Sequence, residues 1–211
     1  MSNIWFTSDT HFGHANIIKY CNRPVQSVAE MDELLTQNWN DSIRAEDIVY
    51  HLGDVTFYKD PELIEAVMSR LNGIKHLIIG NHDKVSVIGK YFYTCLPYHE
   101  LYRITKHPII LSHYPIESWN MKFHNSIHLH GHTHGTIDNS GLRRFDVGVD
   151  CWVMKPVNLD EILEVAEKGI GVPDLSGPNR RGNEEAKARP KNRDQKFGEL
   201  YERASKESGN D

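Results

Sequence analysis

The chain has 211 residues, 39% of them hydrophobic and 25% charged, which suits one domain of ordinary soluble composition. Its net charge of −5 argues against a general nucleic-acid binder, which carries a basic excess, although a nucleotide held by metals stays open. No stretch has the length and apolarity to cross a membrane, no signal-sequence pattern opens the chain, and Cys21, Cys95 and Cys151 form neither a paired framework nor a C-x-x-C site, so a reducing cytoplasm is expected.

Short apolar runs alternate with longer amphipathic stretches, the pattern of an α/β protein. Residues 4–7 read as a first strand. Residues 28–39 carry apolar side chains at helical spacing, with Ser27 as N-cap. A second strand is expected at 48–52, then a helix capped by Asp60, opened by Pro61 and stopped near Leu71 by Asn72-Gly73. Further strands are predicted at 76–79, 101–105, 109–111, 127–130 and 145–149, and a last helix at 158–167. Composition changes after about Gly171, so residues 1–170 are read as the domain. Residues 171–211 are read as a charged tail, flexible or loosely docked, with Phe197, Leu200 and Tyr201 as its only apolar anchors.

Thirteen histidines are the compositional oddity, densest in the segments 11–14 and 128–134. Histidine is the commonest side-chain metal ligand, so such clusters raise a metal site. A single arrangement also recurs along the chain: an apolar run ends, a small residue often follows, and a nitrogen or oxygen ligand appears. Asp9 and His11 follow the first strand, Asp54 the second, and Asn81, His82 and Asp83 the third. His113 follows the run at 109–111, and His132 and His134 follow the run at 127–130. In α/β sheets, functional groups gather beyond the carboxyl ends of strands, where all of these would meet.

Taken in order, Asp9-Thr10-His11, Gly53-Asp54, Gly80-Asn81-His82-Asp83, Ser112-His113 and Gly131-His132-Thr133-His134 resemble the five motifs of the calcineurin-like metallophosphoesterases. The likeness runs over roughly the first 160 residues and is nearest to small bacterial and phage members. It implies two packed mixed β-sheets flanked by helices, a four-layer αββα sandwich. It implies two divalent cations, one on Asp9, His11, Asp54 and His134 and the other on Asp54, Asn81, His113 and His132, with a hydroxide bridging them and His82 as proton donor to the leaving oxygen. Nitrogen and oxygen donors without thiolate suit Mn, Fe, Zn or Ni. Four cationic charges against the two of Asp9 and Asp54 leave a positive excess for phosphate.

The expected reaction is therefore hydrolysis of an ester in a small phosphorylated substrate, a nucleotide among the candidates. A phosphodiester is preferred. In the protein-phosphatase branch of the family, an acid that orients the catalytic histidine and an arginine that clamps phosphate stand where this chain has Phe57 and Tyr58. Phe12, Phe57, Tyr58 and Trp119 are expected to offer a surface to the second ester group. Arg23 is a candidate substitute clamp, and His14 is either a substrate contact or an exposed loop residue. His51, His128 and His130 lie within strands and read as packed or supporting. A phosphomonoesterase or a nucleotide pyrophosphohydrolase of the same fold is the alternative. A non-catalytic interaction module is remote, because it has no reason to keep a full ligand set.

Overall fold

The computed structural model describes residues 2–168, so the predicted tail lies outside the described residues. In chain order the elements are β1 (Ile4–Thr7), α1 (Ala15–Tyr20), α2 (Val28–Ser42), β2 (Ile48–His51), α3 (Pro61–Met68), β3 (Ile74–Ile78) and α4 (Val85–Ile88). They continue with β4 (Thr94–Leu96), β5 (Tyr98–Leu101), β6 (Ile109–Ser112), β7 (Ile127–His130), β8 (Arg144–Asp146), β9 (Val157–Asn158) and α5 (Leu159–Lys168). The helix signals act as read: the Ser27 side chain accepts from Glu30 N at 3.2 Å, and the Asp60 side chain accepts from Glu62 N at 2.9 Å with Pro61 behind it.

Two mixed sheets result. One has the strand order β4-β3-β2-β1-β9, parallel except for β9; the other has the order β5-β6-β7-β8, parallel except for β5. Alternation along the strands sorts their side chains. Trp5, Val49 and Leu77 face a core formed with α2 and α3, where Met31, Leu35, Trp39, Ile64 and Val67 are buried. Phe6 and Ile78, on the opposite face, meet Ile109, Leu111, Leu129 and Phe145 of the second sheet, and α5 adds Ile162 and Ala166 to that inter-sheet core. On the far face of the second sheet, His128 and Arg144 are covered by the loop between β6 and β7. There His128 Nε2 accepts from Ile116 N at 3.0 Å, and the Trp119 ring lies 5.4 Å from the His128 ring.

Strands β2, β3 and β6 lie within two residues of their predicted spans, and two others depart further, each for a local reason. The strand expected at 101–105 is β5, four residues long and ending at Leu101. Antiparallel pairing sets Leu101 opposite Ile109, so residues 102–108 must reverse the chain, with Arg103 at φ 66°. The strand expected at 145–149 stops at Asp146, because its carboxylate accepts from Gly148 N at 2.8 Å and turns the backbone into a 3-10 turn at Val149–Cys151.

Because β1, β2 and β3 are parallel, as are β6 and β7, their carboxyl ends lie along one edge of the sandwich. Every predicted ligand loop follows one of these five ends.

Candidate metal centre

The loops are first tied to each other by backbone. Asp9 N donates to Gly53 O at 2.9 Å, His11 N to Asp54 O at 3.1 Å and Gly131 N to His113 O at 3.0 Å. Asp83, quoted in the third motif without a role, accepts from the backbone N–H groups of Asp54, Val55 and Gly80 at 2.8–2.9 Å. It thereby pins the loop after β2 to the loop after β3. Gly80 packs so closely there that a Cβ would collide with Asp54. His51 adds a relay: its Nδ1 accepts from Gly53 N, its Nε2 donates to Thr10 Oγ1 at 3.0 Å, and Thr10 donates to Val55 O at 2.8 Å. Burial holds His51 down at about 3, so it stays neutral and keeps this pattern.

All seven predicted ligands come together. Asp9, His11 and His134 bring one donor atom each to within 4.8 Å of one another, and so do Asp54, His113 and His132. Asp54 Oδ2 joins the two trios, 3.7 Å from His11 Nε2 and 3.6 Å from His113 Nε2. Asn81 Oδ1 lies 2.9 Å from His113 Nε2. His113 Nδ1 spends its hydrogen on Leu52 O at 2.7 Å, so Nε2 presents a lone pair to an oxygen that also has only lone pairs. A shared cation satisfies that pairing. Asp9 Oδ1 and both ring nitrogens of His11 are buried without a hydrogen-bond partner, which is costly unless a cation takes them up. The donor set and its unpartnered atoms thus fit divalent metal.

Charge around the first trio is finely opposed. Burial above all raises the Asp9 carboxyl to about 8, while burial and the nearby Arg23 charge lower His11 to about 2. Burial works against charge on His134 too, but its hydrogen bonds to Asp150 and Cys21 and the neighbouring carboxylates outweigh this and raise it to about 10. Cation binding there displaces protons, so uptake is coupled to pH and strengthens as pH rises.

Arg23 is not at the substrate surface, which corrects the expectation of a phosphate clamp. It is 4% exposed, and all five of its N–H donors have partners. Nε and Nη2 grip the Asp150 carboxylate at 2.9 Å each, while Nη2 and Nη1 also donate to Asp9 O and Thr10 O at 2.7 and 2.8 Å. Asp150 in turn accepts from His134 Nδ1 at 2.7 Å, which turns His134 Nε2 toward the trio. Arg23 therefore sets the backbone of one ligand and, through Asp150, the ring of another. Sequence reasoning missed Asp150 as a supporting group, because its partner Arg23 lies 127 positions away. Arg23→Ala is expected to weaken metal binding by about 10- to 100-fold, the scale for such supporting groups. Calorimetric metal titration checks this, and a selective loss of monoester hydrolysis at unchanged metal affinity would restore the clamp.

His82 stands beside the centre. Its backbone N donates to Asp54 Oδ1 at 3.0 Å, and its ring centroid is 5.9 Å from that of His11. Phe57 packs on it at 4.7 Å and stacks on His14 at 3.9 Å and 10°. The ring that stands where an orienting acid was missed thus braces both histidines by packing. Tyr58 points elsewhere, donating to Asp32 Oδ2 at 2.9 Å. Phe12 and Trp119 are 0% and 6% exposed, so neither can offer the ester surface expected of it; within that group Phe57 borders the site.

Five of the seven ligands, Asp9, His11, Asp54, His132 and His134, have left-handed backbone with φ between 47° and 68°. Non-glycine residues rarely adopt this conformation, and it concentrates at functional sites.

A two-sheet sandwich with candidate metal-ligating loops on one edge is the arrangement implied by the resemblance to metal-dependent phosphoester hydrolases. The model of the calcineurin-like phosphoesterase superfamily domain matches residues 3–156, and the chain belongs to that family. It is 39% identical over 176 residues to an uncharacterized protein of Methanocaldococcus jannaschii, covering 80% of this chain and 94% of that one. It is 30% identical over 203 residues to the gene 66 protein of Mycobacterium phage D29, covering 81% of this chain and 100% of the other. Among solved structures it resembles a protein of unknown function from Aquifex aeolicus, with a TM-score of 0.64, 26% identity, and coverage of 78% of this chain and 100% of that chain.

Proposed function

We propose that the protein hydrolyses phosphodiesters at a centre of two divalent cations, held by Asp9, His11, Asp54 and His134 on one side and by Asp54, Asn81, His113 and His132 on the other. The observation that carries this reading is the position of Asp54 Oδ2, 3.7 and 3.6 Å from histidine nitrogens of the two trios. When bound, the cations supply positive charge for the phosphate oxygens and a nucleophile from water at neutral pH. The chain's own residues do the rest. Asp54 and Asp83 fix the spacing of the loops, Arg23 and Asp150 orient His134, and His82, braced by Phe57, stands ready to protonate the departing oxygen. His14, stacked on Phe57, is a substrate contact in this reading.

A preference for diesters follows from what surrounds the centre. A monoester carries up to two negative charges and gains most from a fixed guanidinium, but Arg23 is engaged inside the protein and Tyr58 occupies the usual place of the clamp. A diester carries one charge. The manganese-loaded protein is expected to show higher kcat/KM on methyl p-nitrophenyl phosphate than on p-nitrophenyl phosphate. The opposite order would sink the diester reading and leave a phosphomonoesterase.

A further inference from the structure

A diester has a second organic arm, and the aromatic surface expected for it from Phe12 and Trp119 is buried. We propose that the arm retained after hydrolysis lies in a cleft between the end of α1 and the loop after β7, and that this cleft takes an uncharged aromatic group, with Tyr20 as its specificity residue. This rests on the diester reading above.

The cleft has a volume of about 400 Å³, within the range of roughly 300–1,000 Å³ typical of small-ligand sites. One wall is made by the ligands His132 and His134, so it opens directly beside both cation positions. Tyr20 and Cys21 at the end of α1 also line it, as do Thr133 and Thr136 of the loop after β7. Tyr20 is 74% exposed, whereas Ile17 on the same short helix is buried. Among the described residues its ring makes a T-shaped contact with His14, at 6.4 Å and 77°, which leaves area for a planar group.

The lining also says what does not enter. Apart from the two metal-facing histidines, no described residue lining the cleft carries a charged side chain. Both threonine hydroxyls already donate, Thr133 to Asp146 Oδ2 and Thr136 to Thr133 O, at 2.7 Å each. A second phosphate would find neither a lysine nor an arginine there, and neither threonine hydroxyl hydrogen, so the cleft does not suit a polyphosphate. His82 borders His11 and Phe57 and is not among the lining residues. The arm in the cleft is thus the one that stays on phosphorus, while the arm near His82 departs.

Two diesters that share a leaving group test this with the manganese-loaded full chain: phenyl p-nitrophenyl phosphate and methyl p-nitrophenyl phosphate. Wild-type protein is expected to favour the phenyl ester through a lower KM. Tyr20→Ala should raise KM for the phenyl ester about 3- to 10-fold more than for the methyl ester, the scale of one aromatic contact, with the ratio of the two kcat values little changed. Tyr20→Phe should keep the preference, and Thr136→Trp, which fills the cleft from the loop after β7, should abolish it. If Tyr20→Ala and Thr136→Trp alter both esters alike, the inference is overturned and the diester reading survives. A wild-type protein that turns over neither diester overturns that reading and the assigned arm together.

Discussion

Asp54→Ala is expected to abolish turnover, by about 10³-fold or more, and to leave the protein with less bound metal than His11→Ala retains. The reason is geometric. His11 serves one trio, whereas Asp54 Oδ2 faces nitrogens of both, and its Oδ1 also receives His82 N at 3.0 Å. Its loss removes one negative charge from between two cations and loosens the proton donor together with the nucleophile's site. Several kcal/mol of transition-state stabilisation are at stake, and each 1.36 kcal/mol is tenfold in rate. Because Asp54 has φ 58°, alanine also strains the loop, so Asp54→Asn is the matched control: it keeps the backbone and drops the charge. Metal content by atomic absorption and kcat on one diester, measured side by side for the three variants, provide the check. Full activity after exhaustive chelation would refute the metal account altogether.

For His82→Ala the expectation is retained metal with hydrolysis slowed about 10²- to 10⁴-fold when the leaving group is a poor one such as an alkoxide. A p-nitrophenolate leaves with little need of a proton, so the loss there should be much smaller. His82 is exposed and holds its place by backbone and by the packing of Phe57 at 4.7 Å, so truncating its ring disturbs little else. Equal losses across leaving groups would mean that His82 positions substrate and does not deliver a proton.

Much of this site was legible from the chain because its ligands sit immediately after apolar strands. A local pattern therefore reported a tertiary meeting point, and parallel pairing of β1, β2 and β3 did the rest. What could not be read depended on partners far away in sequence. Arg23 and Asp150 are separated by 127 positions, and nothing near Arg23 in the chain distinguishes a buried fork from a loop cation. Phe12 and Trp119 look like Phe57 in sequence; only packing decides which ring faces the site. The six-residue α1 escaped because it has no acidic first turn and no side-chain cap, and it is too short for periodicity to stand out. The two residues of β9 carry no strand signal of their own, and their place beside β1 comes from the antiparallel return of the chain.

The left-handed backbone at Asp9, His11, Asp54, His132 and His134 bears on how such a centre can be lost over evolution. Each of these residues does two separable jobs, offering a donor atom and reversing the chain. Glycine and asparagine perform the second without the charge or imidazole needed for the first, whereas a β-branched residue performs neither. A descendant that abandons hydrolysis but keeps its shape is therefore expected to drift toward glycine or asparagine at these positions. Valine or isoleucine there would mark a lineage whose loops have been rebuilt. Residue identity at positions 9, 11, 54, 132 and 134 in a relative thus separates a silenced centre on an intact scaffold from a remodelled one.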